Sequence, residues 1–197
     1  MSSSEGSFSK ARVEAFSDGV MAVIITIMVL DLKAPGNPEP AALLRLWPSF
    51  GIYLVSFFLI ALYWINHHGL LAQARHVTAG LLWANVGLLF VASLIPFATA
   101  YVARTRLAPF PTAVYAGLQC ACGIAFNVMF RTIALQRDDE TFHRAARIRR
   151  RQNQIAVGIY AVSAIVALFR PTIAILLFAV VALAYVAPTF RGVKKDA

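Results

Sequence analysis

Charged side chains are scarce in this chain of 197 residues. They make up 14% of the sequence, whereas a typical soluble domain has about 25%. Acidic residues are scarcer than basic residues, since the chain has 9 Asp and Glu and 18 Lys and Arg. Hydrophobic residues make up 59%, and the mean hydropathy is +0.69. This composition excludes an ordinary soluble domain and indicates an integral membrane protein.

Cysteine and the common catalytic motifs are also nearly absent. The chain has 2 cysteines, Cys120 and Cys122, and a helix would point them in different directions, so we expect no disulfide between them. The sequence has no Gly-x-Ser-x-Gly nucleophile motif, no phosphate-binding loop, no His-Glu-x-x-His zinc motif and no Cys-x-x-Cys pair. We therefore expect the protein not to be an enzyme and to hold no cofactor or resident metal.

A secretion signal is missing as well. Residues 1–9 are polar and rich in serine, without a short apolar core ahead of a cleavage site. We interpret them as a disordered cytoplasmic tail and residues 191–197 as a second, basic cytoplasmic tail. Between the tails we predict an all-α transmembrane domain over 10–190.

Six apolar stretches within this domain predict six membrane-crossing helices. The first, from Arg12 to Lys33, covers about 30 Å as a helix, which is the thickness of a bilayer's hydrocarbon layer. The other five lie at 46–62, 79–101, 110–130, 155–169 and 172–186. Pro96 is expected to kink the third span near its far end. The fifth span is short unless the basic stretch 136–154 ahead of it belongs to the same helix.

The basic residues are segregated between the two sides of these spans. With the N-terminus in the cytoplasm, the inner side holds Lys10, Arg12, Arg75, Arg137, Arg144, Arg147, Arg149, Arg150, Arg151, Arg191, Lys194 and Lys195. The outer side holds Lys33, Arg45, Arg104, Arg106 and Arg170. Because Lys and Arg collect in cytoplasmic loops, this excess favours six spans with both termini in the cytoplasm.

The net charge of +9 is then explained by topology and by the lipid bilayer. Five arginines lie close together ahead of the fifth span, where they would contact anionic lipids: Arg144, Arg147, Arg149, Arg150 and Arg151. The sequence has no zinc spacing, RNA-binding signature or ladder of stacking aromatics. We therefore expect no nucleic-acid binding.

The first stretch has two different faces when its residues are placed at intervals of about 100°. One narrow stripe is small and aliphatic, and it contains Arg12, Phe16, Gly19, Val23, Ile27, Leu30 and Ala34, with Thr26 on its edge. Ser17, Asp18 and Asp31 fall outside this stripe. A carboxylate inside a spanning segment costs free energy unless it has a partner or faces water. An alternative role for Ser17 and Asp18 is to stabilise the helix N-terminus.

Several polar side chains are candidate partners for Asp18, namely Arg12, Trp64, His67 or His68, and Asn85. His67 and His68 are adjacent, so a helix would point them about 100° apart, which is poor geometry for a metal site. We expect them to form structural hydrogen bonds instead. We predict that Ser17 and Asp18 tie the first helix to its own subunit.

These residues resemble those of a known protein family. The first helix carries Arg12-x-x-x-Phe16-Ser17-Asp18-Gly19-Val20-x-Ala22, followed by Thr26, Leu30 and Asp31. Trp64-x-x-His67-His68 closes the second span, and Pro96-Phe97 lies in the third. This set is similar to that of the bacterial transmembrane protein 175 family of potassium channels, and the resemblance covers all six spans.

The resemblance implies a homotetramer in a bacterial cell membrane, with the first helix of each subunit lining a pore. The narrowest part of the family's pore maps onto Val23, Ile27 and Leu30, with Thr26 as a polar layer beside them. Val23 and Ile27 depart from the commoner Ile and Leu, so we expect a somewhat wider neck at Val23. The chain has no second Phe-Ser-Asp motif, which makes four subunits more natural than two. Potassium is then the permeant ion and not a cofactor.

A hydrophobic neck gives a physical basis for selectivity. Four aliphatic side chains offer a passing ion no replacement for its water, so partial dehydration sets the barrier, and potassium with its looser hydration shell crosses more easily than sodium. Such a neck also closes by dewetting. Because the chain has no Thr-Val-Gly-Tyr-Gly carbonyl filter, we expect modest selectivity. The alternative for Val23, Ile27 and Leu30 is contact with lipid or with other helices.

Two other functions fit parts of the sequence. In a small proton-coupled secondary transporter, Asp18 and a histidine would exchange protons as the helices rock. That function predicts an internal sequence symmetry that this chain lacks. In a lipid-interacting membrane protein, the arginine-rich stretch 144–151 would be the working surface.

Overall fold

The computed structural model describes the backbone of residues 9–193 and the side chains of residues 9–182, except those of residues 141 and 145. All regular structure in this part of the chain is helical. In chain order it consists of α1 (Lys10–Ile27), a 3-10 helix (Met28–Asp31), α2 (Pro40–Leu44), α3 (Trp47–Leu71), α4 (Ala79–Ser93), α5 (Ile95–Arg104), α6 (Pro109–Ala134), α7 (Glu140–Ala167) and α8 (Pro171–Val193). Residues 1–8 of the predicted N-terminal tail and 194–197 of the basic tail lie outside the described residues.

Four helical segments of the described chain are long and apolar enough to cross a membrane. Their mean hydropathy lies between 1.5 and 2.0, and they are Lys10–Asp31, Trp47–Leu71, Ala79–Arg104 and Pro109–Ala134. These segments coincide with the first four predicted spans. α8 begins with a shorter apolar stretch, Pro171–Ala182, and continues to Val193, past the predicted end at residue 186.

α7 joins the polar stretch and the fifth predicted span in one helix of 28 residues. Arginine and glutamine are good helix formers, and no proline interrupts Glu140–Ala167. Of the two arrangements left open by the sequence, the structure has the one in which the basic lead-in belongs to the same helix. The arginines of α7 are therefore fixed on a helical surface.

The third predicted span is interrupted at Leu94, between α4 and α5. Pro96 stands in the first turn of α5, where the N–H that proline lacks is not needed by the helix. The predicted kink near Pro96 is therefore present, and it takes the form of a helix end followed by a new helix.

α1 packs with one face against α3, α4 and α5. The buried positions of α1 and the following turn recur at helical spacing and are Val13, Ser17, Met21, Ile24 and Met28. On the far side of the subunit, α7 packs mainly on α6 and α8, and α6 lies between the two groups. α1 therefore occupies one edge of the subunit.

α6 and α7 approach each other closely at Gly123. A Cβ atom at this position would lie 2.5 Å from Val157 Cγ2, which is too close for packed carbon atoms. Asn153 Nδ2 donates a hydrogen bond to the Gly123 carbonyl oxygen at 3.1 Å. This contact fixes the position of the basic half of α7 on α6.

Candidate functional site

The predicted stripe of α1 lies on the face that none of the other described helices covers. Val23, Ile27 and Leu30 are 60%, 46% and 67% exposed, respectively, although the helix is apolar. Thr26 is also exposed, and its hydroxyl donates to the carbonyl oxygen of Ala22 at 2.8 Å. The Thr26 oxygen thus keeps lone pairs that can accept a contact from a cation or water.

The opposite face of α1 is held by a buried hydrogen-bonded chain. Ser17 is fully buried, and its hydroxyl donates to the Val13 carbonyl oxygen at 2.8 Å. Asn85 of α4 donates through Nδ2 to Ser17 Oγ at 2.9 Å. Asn85 Oδ1 lies 2.7 Å from His67 Nε2 of α3. One asparagine therefore connects α1 to both α3 and α4.

This geometry determines the tautomer of His67. An amide oxygen only accepts hydrogen bonds, so the Nε2 atom facing Asn85 Oδ1 must carry the proton. In the neutral ring Nδ1 is then an acceptor, and it is buried without a hydrogen-bond partner among the described residues. Among the described residues, the bond to Asn85 is the one hydrogen bond that orients the ring.

Asp18 and its neighbour Ser17 have different hydrogen-bond partners. Trp64 Nε1 donates to Asp18 Oδ1 at 2.8 Å, so among the predicted candidates Trp64 is the residue that contacts this carboxylate. The Trp64 ring also lies beside the His68 ring, with centroids 6.2 Å apart. Arg12 and Phe16 are exposed, and Arg12 forms no ion pair with a described residue.

Asp31, at the other end of the first span, forms an ion pair. Its carboxylate lies 2.7 Å from Arg104 at the end of α5. The pair connects the ends of the first and third spans on the same side of the subunit.

A second polar network was not identified from the sequence. Thr99 Oγ1 of α5 lies 2.9 Å from Ser56 Oγ of α3, which lies 2.9 Å from the hydroxyl of Tyr115 in α6. Gln119 Nε2 donates to the same hydroxyl at 3.1 Å. All four residues are buried. Polar residues within apolar spans were the available signal, but periodicity does not identify which of them face one another.

The described side chains include no group of three or more His, Cys, Asp or Glu residues able to hold a metal ion. The polar groups near α1 are instead paired with one another. The arrangement fixes one face of a helix and leaves an aliphatic face uncovered.

Comparison with known proteins identifies the family. A family model described as endosomal/lysosomal potassium channel TMEM175 matches residues 12–96. A protein of Chryseobacterium sp. (strain P1-3) named as a potassium channel is 36% identical over 182 residues, which cover 92% of this chain and 95% of that relative. The chain belongs to the TMEM175 family. The resemblance based on the motifs of the first three spans is confirmed.

Other TMEM175 relatives agree in sequence and in fold. A protein of Streptomyces collinus, also named as a potassium channel, is 37% identical over 152 residues, which cover 70% of this chain and 74% of that relative. The crystal structure of a lysosomal potassium-selective channel TMEM175 homolog from Chamaesiphon minutus superposes with a TM-score of 0.82 at 29% identity, over 91% of this chain and 97% of that chain. TMEM175 is a family of membrane channels and not of enzymes.

Proposed function

We propose that this protein is a potassium channel that favours potassium over sodium, with a pore lined by α1 from four copies. The observation that carries the proposal is the uncovered aliphatic stripe of α1, on a helix whose opposite face is held by buried hydrogen bonds. Bacterial relatives named as potassium channels support the choice of ion. The proposed location is the bacterial cell membrane.

The proposed topology has six spans and both termini in the cytoplasm. α1, α3, the pair α4 and α5, α6, α7 and α8 supply the spans in chain order. The excess of Lys and Arg at the side of the N-terminus supports this orientation.

The proposed hydrophobic constriction consists of rings at Val23, Ile27 and Leu30. At a rise of about 1.5 Å per residue, Val23 and Ile27 are about 6 Å apart along the axis, so an ion would pass successive apolar rings. The aliphatic side chains of each ring offer no oxygen atoms to replace the water around the ion. Potassium holds its hydration shell less tightly than sodium, so its free-energy barrier for partial dehydration is lower. Thr26 would add hydroxyl oxygens beside the ring at Ile27.

A second copy of the chain is the proposed neighbour of α1. A shallow hollow of about 520 Å³ lies over part of the stripe, and it is lined by Ala15, Phe16, Gly19, Val20, Val23 and Ile24 of α1 and by Ser93 of α4. An exposed apolar surface of this kind on an otherwise packed helix fits subunit contact. Ser17, Asp18, Trp64, His67 and Asn85 would then hold α1 from behind within its own subunit.

The test is ion permeation by the full chain reconstituted in lipid bilayers. We expect Ile27→Ala and Leu30→Ala to raise the permeability of sodium or caesium relative to potassium about fivefold, because a barrier change of about 1 kcal/mol alters a rate by that factor. Val29→Ala is the matched control, since Val29 is an exposed aliphatic residue outside the stripe. Unchanged permeability ratios in both stripe variants would remove these rings from the constriction.

The same recordings separate a channel from a proton-coupled transporter. In solutions where potassium is the one permeant cation and no proton gradient is present, a channel gives currents that reverse at the potassium equilibrium potential. Flux that saturates and requires a proton gradient would favour the transporter.

A further inference from the structure

A cavity of about 650 Å³ lies between α3, α6, α7 and α8, away from α1. Its volume is within the range of ligand pockets, about 300–1,000 Å³. Ile65, Ile155 and Val180 line it and are about half exposed, so the cavity opens at the surface that faces lipid. We propose that it binds one anionic phospholipid, with the phosphate at Arg149 and Arg150.

The lining of the cavity is divided into a polar part and an apolar part. Six polar residues form the first part, namely Asn66, Asn127, Arg149, Arg150, Gln152 and Asn153. The apolar part includes Leu59, Leu62, Phe126, Ile159, Tyr160 and Val181. A phospholipid has the same division, because a charged headgroup continues into acyl chains.

The polar part lies at the depth of a headgroup. From Arg150 to Ala167 at the other end of α7, the helix rises about 26 Å, close to the thickness of the hydrocarbon layer at about 30 Å. Asn66 and Asn127 lie towards the C-terminal ends of α3 and α6, which reach the same side of the subunit. This side has the excess of basic residues and is the proposed cytoplasmic side.

No carboxylate of the described residues neutralises the charge of the cavity. Ion pairs among the described residues join Lys10 to Glu14, Arg104 to Asp31, and Arg137 to Asp139, so neither Arg149 nor Arg150 has an acidic partner there. A phosphate accepts two or more hydrogen bonds from guanidinium groups. A lipid with net negative charge supplies the missing countercharge, whereas a zwitterionic headgroup carries its own cation.

The helix that carries the two arginines is held in place before a lipid arrives. Asn153, one helical turn after Arg149, is bonded to the Gly123 carbonyl oxygen, and α7 lies against α6 at this point. Asn127 is half-buried and forms no side-chain hydrogen bond with a described residue, so its amide is available to a headgroup. The backbone of the site is therefore already in position, and binding has to order the exposed side chains of Arg149 and Arg150.

The experiment measures lipid binding to the full chain by native mass spectrometry. Phosphatidylglycerol is compared with phosphatidylcholine of the same acyl chains, for wild type, for Arg149→Gln/Arg150→Gln and for Arg45→Gln/Arg170→Gln. The last variant is the matched control, because it loses the same charge from exposed positions outside the cavity and outside the arginine-rich stretch 144–151. We expect the cavity variant to lose at least about tenfold in phosphatidylglycerol affinity and the control to keep the wild-type preference.

Several outcomes would overturn the proposal. These are equal losses in the two double variants, no preference for phosphatidylglycerol in wild type, or displacement of the lipid by inorganic phosphate alone. A disulfide between copies carrying Ile155→Cys would mean that a second copy covers the cavity, which also contradicts it.

A measurement on wild type keeps the test valid if a variant does not fold. Hydrogen exchange in phosphatidylglycerol nanodiscs should be slower than in phosphatidylcholine nanodiscs over 66–70 and 149–156, and unchanged exchange there would contradict the site. The proposed potassium selectivity rests on α1 and not on this cavity. Failure of lipid binding would therefore contradict the lipid site and leave the proposed channel function unaffected.

Discussion

At the scale of single residues, the neighbours Ser17 and Asp18 connect α1 to two different helices. Ser17 bonds Asn85 of α4, whereas Asp18 accepts from Trp64 of α3. Consecutive residues of a helix point about 100° apart, so two adjacent side chains reach two neighbouring helices. The rotation of α1 about its own axis is thereby fixed, and with it the direction in which Val23 and Ile27 point.

Among the residues that hold α1 to α3 and α4, Asn85 is the one whose replacement should destabilise the protein most. Asn85→Leu leaves His67 Nε2 without a partner in a buried site, and an unsatisfied buried group costs about 1–3 kcal/mol. It also removes the bond from α4 to Ser17 Oγ, which keeps its bond to Val13 within α1. We expect a clear fall in the melting temperature of the purified protein. Asn66→Leu is the control, because Asn66 bonds only its own helix at Leu62, and it should melt close to wild type. Equal melting temperatures for the two variants would contradict the anchoring role.

Asp18 should matter for assembly before it matters for ion preference. Asp18→Ala removes the acceptor of the Trp64 N–H, and we expect less assembled protein by size-exclusion chromatography with unchanged permeability ratios in what remains. Trp64→Phe removes only the donor and should act in the same direction. Asp31→Ala should be milder, because the side chain of Arg104 is 68% exposed and exposed ion pairs contribute little. A well-formed tetramer with altered selectivity would argue against this division of roles.

The sequence separated Ser17 and Asp18 from the aliphatic stripe of α1, but it did not identify the hydrogen-bond partner of either residue. Helical periodicity gives the direction of a side chain about its own axis, whereas a partner also depends on the depth and rotation of the facing helix. Asp18 therefore had several candidates, and the structure has Trp64. For the same reason Ser56, Thr99 and Tyr115 were not recognised as one network.

At the scale of helices, α6 and α7 are in close contact at Gly123. Gly123 allows the two backbones to approach, and Val157 occupies the space that a larger residue would need. This contact could not be predicted from the sequence, because nothing in the pattern of α6 distinguishes Gly123 from Gly117. The continuity of α7 through its basic half was left open for a related reason, since arginine is compatible with both a helix and a loop.

Gly123→Ala tests this contact. The added methyl group overlaps Val157, so we expect a loss of about 1–3 kcal/mol in stability, read as a lower melting temperature. Gly117→Ala on the same helix is the control, because no atom lies within 4 Å of its added Cβ, and alanine favours a helix by up to about 1 kcal/mol. Adding Val157→Ala to Gly123→Ala should recover part of the loss. The prediction fails if both glycine variants melt alike.

At the scale of the whole molecule, the two edges of the subunit have chemically different surfaces. α1 lies at one edge with an aliphatic stripe, and α7 and α8 lie at the other with the cavity and its arginines. If copies associate through α1, the cavity stays at the perimeter in contact with lipid. Subunit contact and lipid binding then use different parts of the protein surface.

Cysteine cross-linking tests this arrangement of copies. In a chain with Cys120 and Cys122 replaced by alanine, we expect Val23→Cys to form disulfides between subunits on oxidation, because a narrow neck brings its side chains within the roughly 7 Å between Cα atoms that a disulfide spans. Ile165→Cys is equally exposed but lies on α7, and it should remain monomeric on denaturing gels. The reverse pattern would mean that α7 and not α1 faces the neighbouring copy.

The 3-10 helix at Met28–Asp31 has a consequence for how such a neck could change width. In 3-10 winding, side chains three residues apart eclipse one another, so Leu30 stands above Ile27 along the axis. Rewinding this turn to an α-helix would swing Leu30 about 60° sideways relative to Ile27, from the difference between 120° and 100° per residue. The part of α1 held by Ser17 and Asp18 need not move. In the proposed pore, the winding of this turn would set whether Leu30 is in line with Ile27 along the axis.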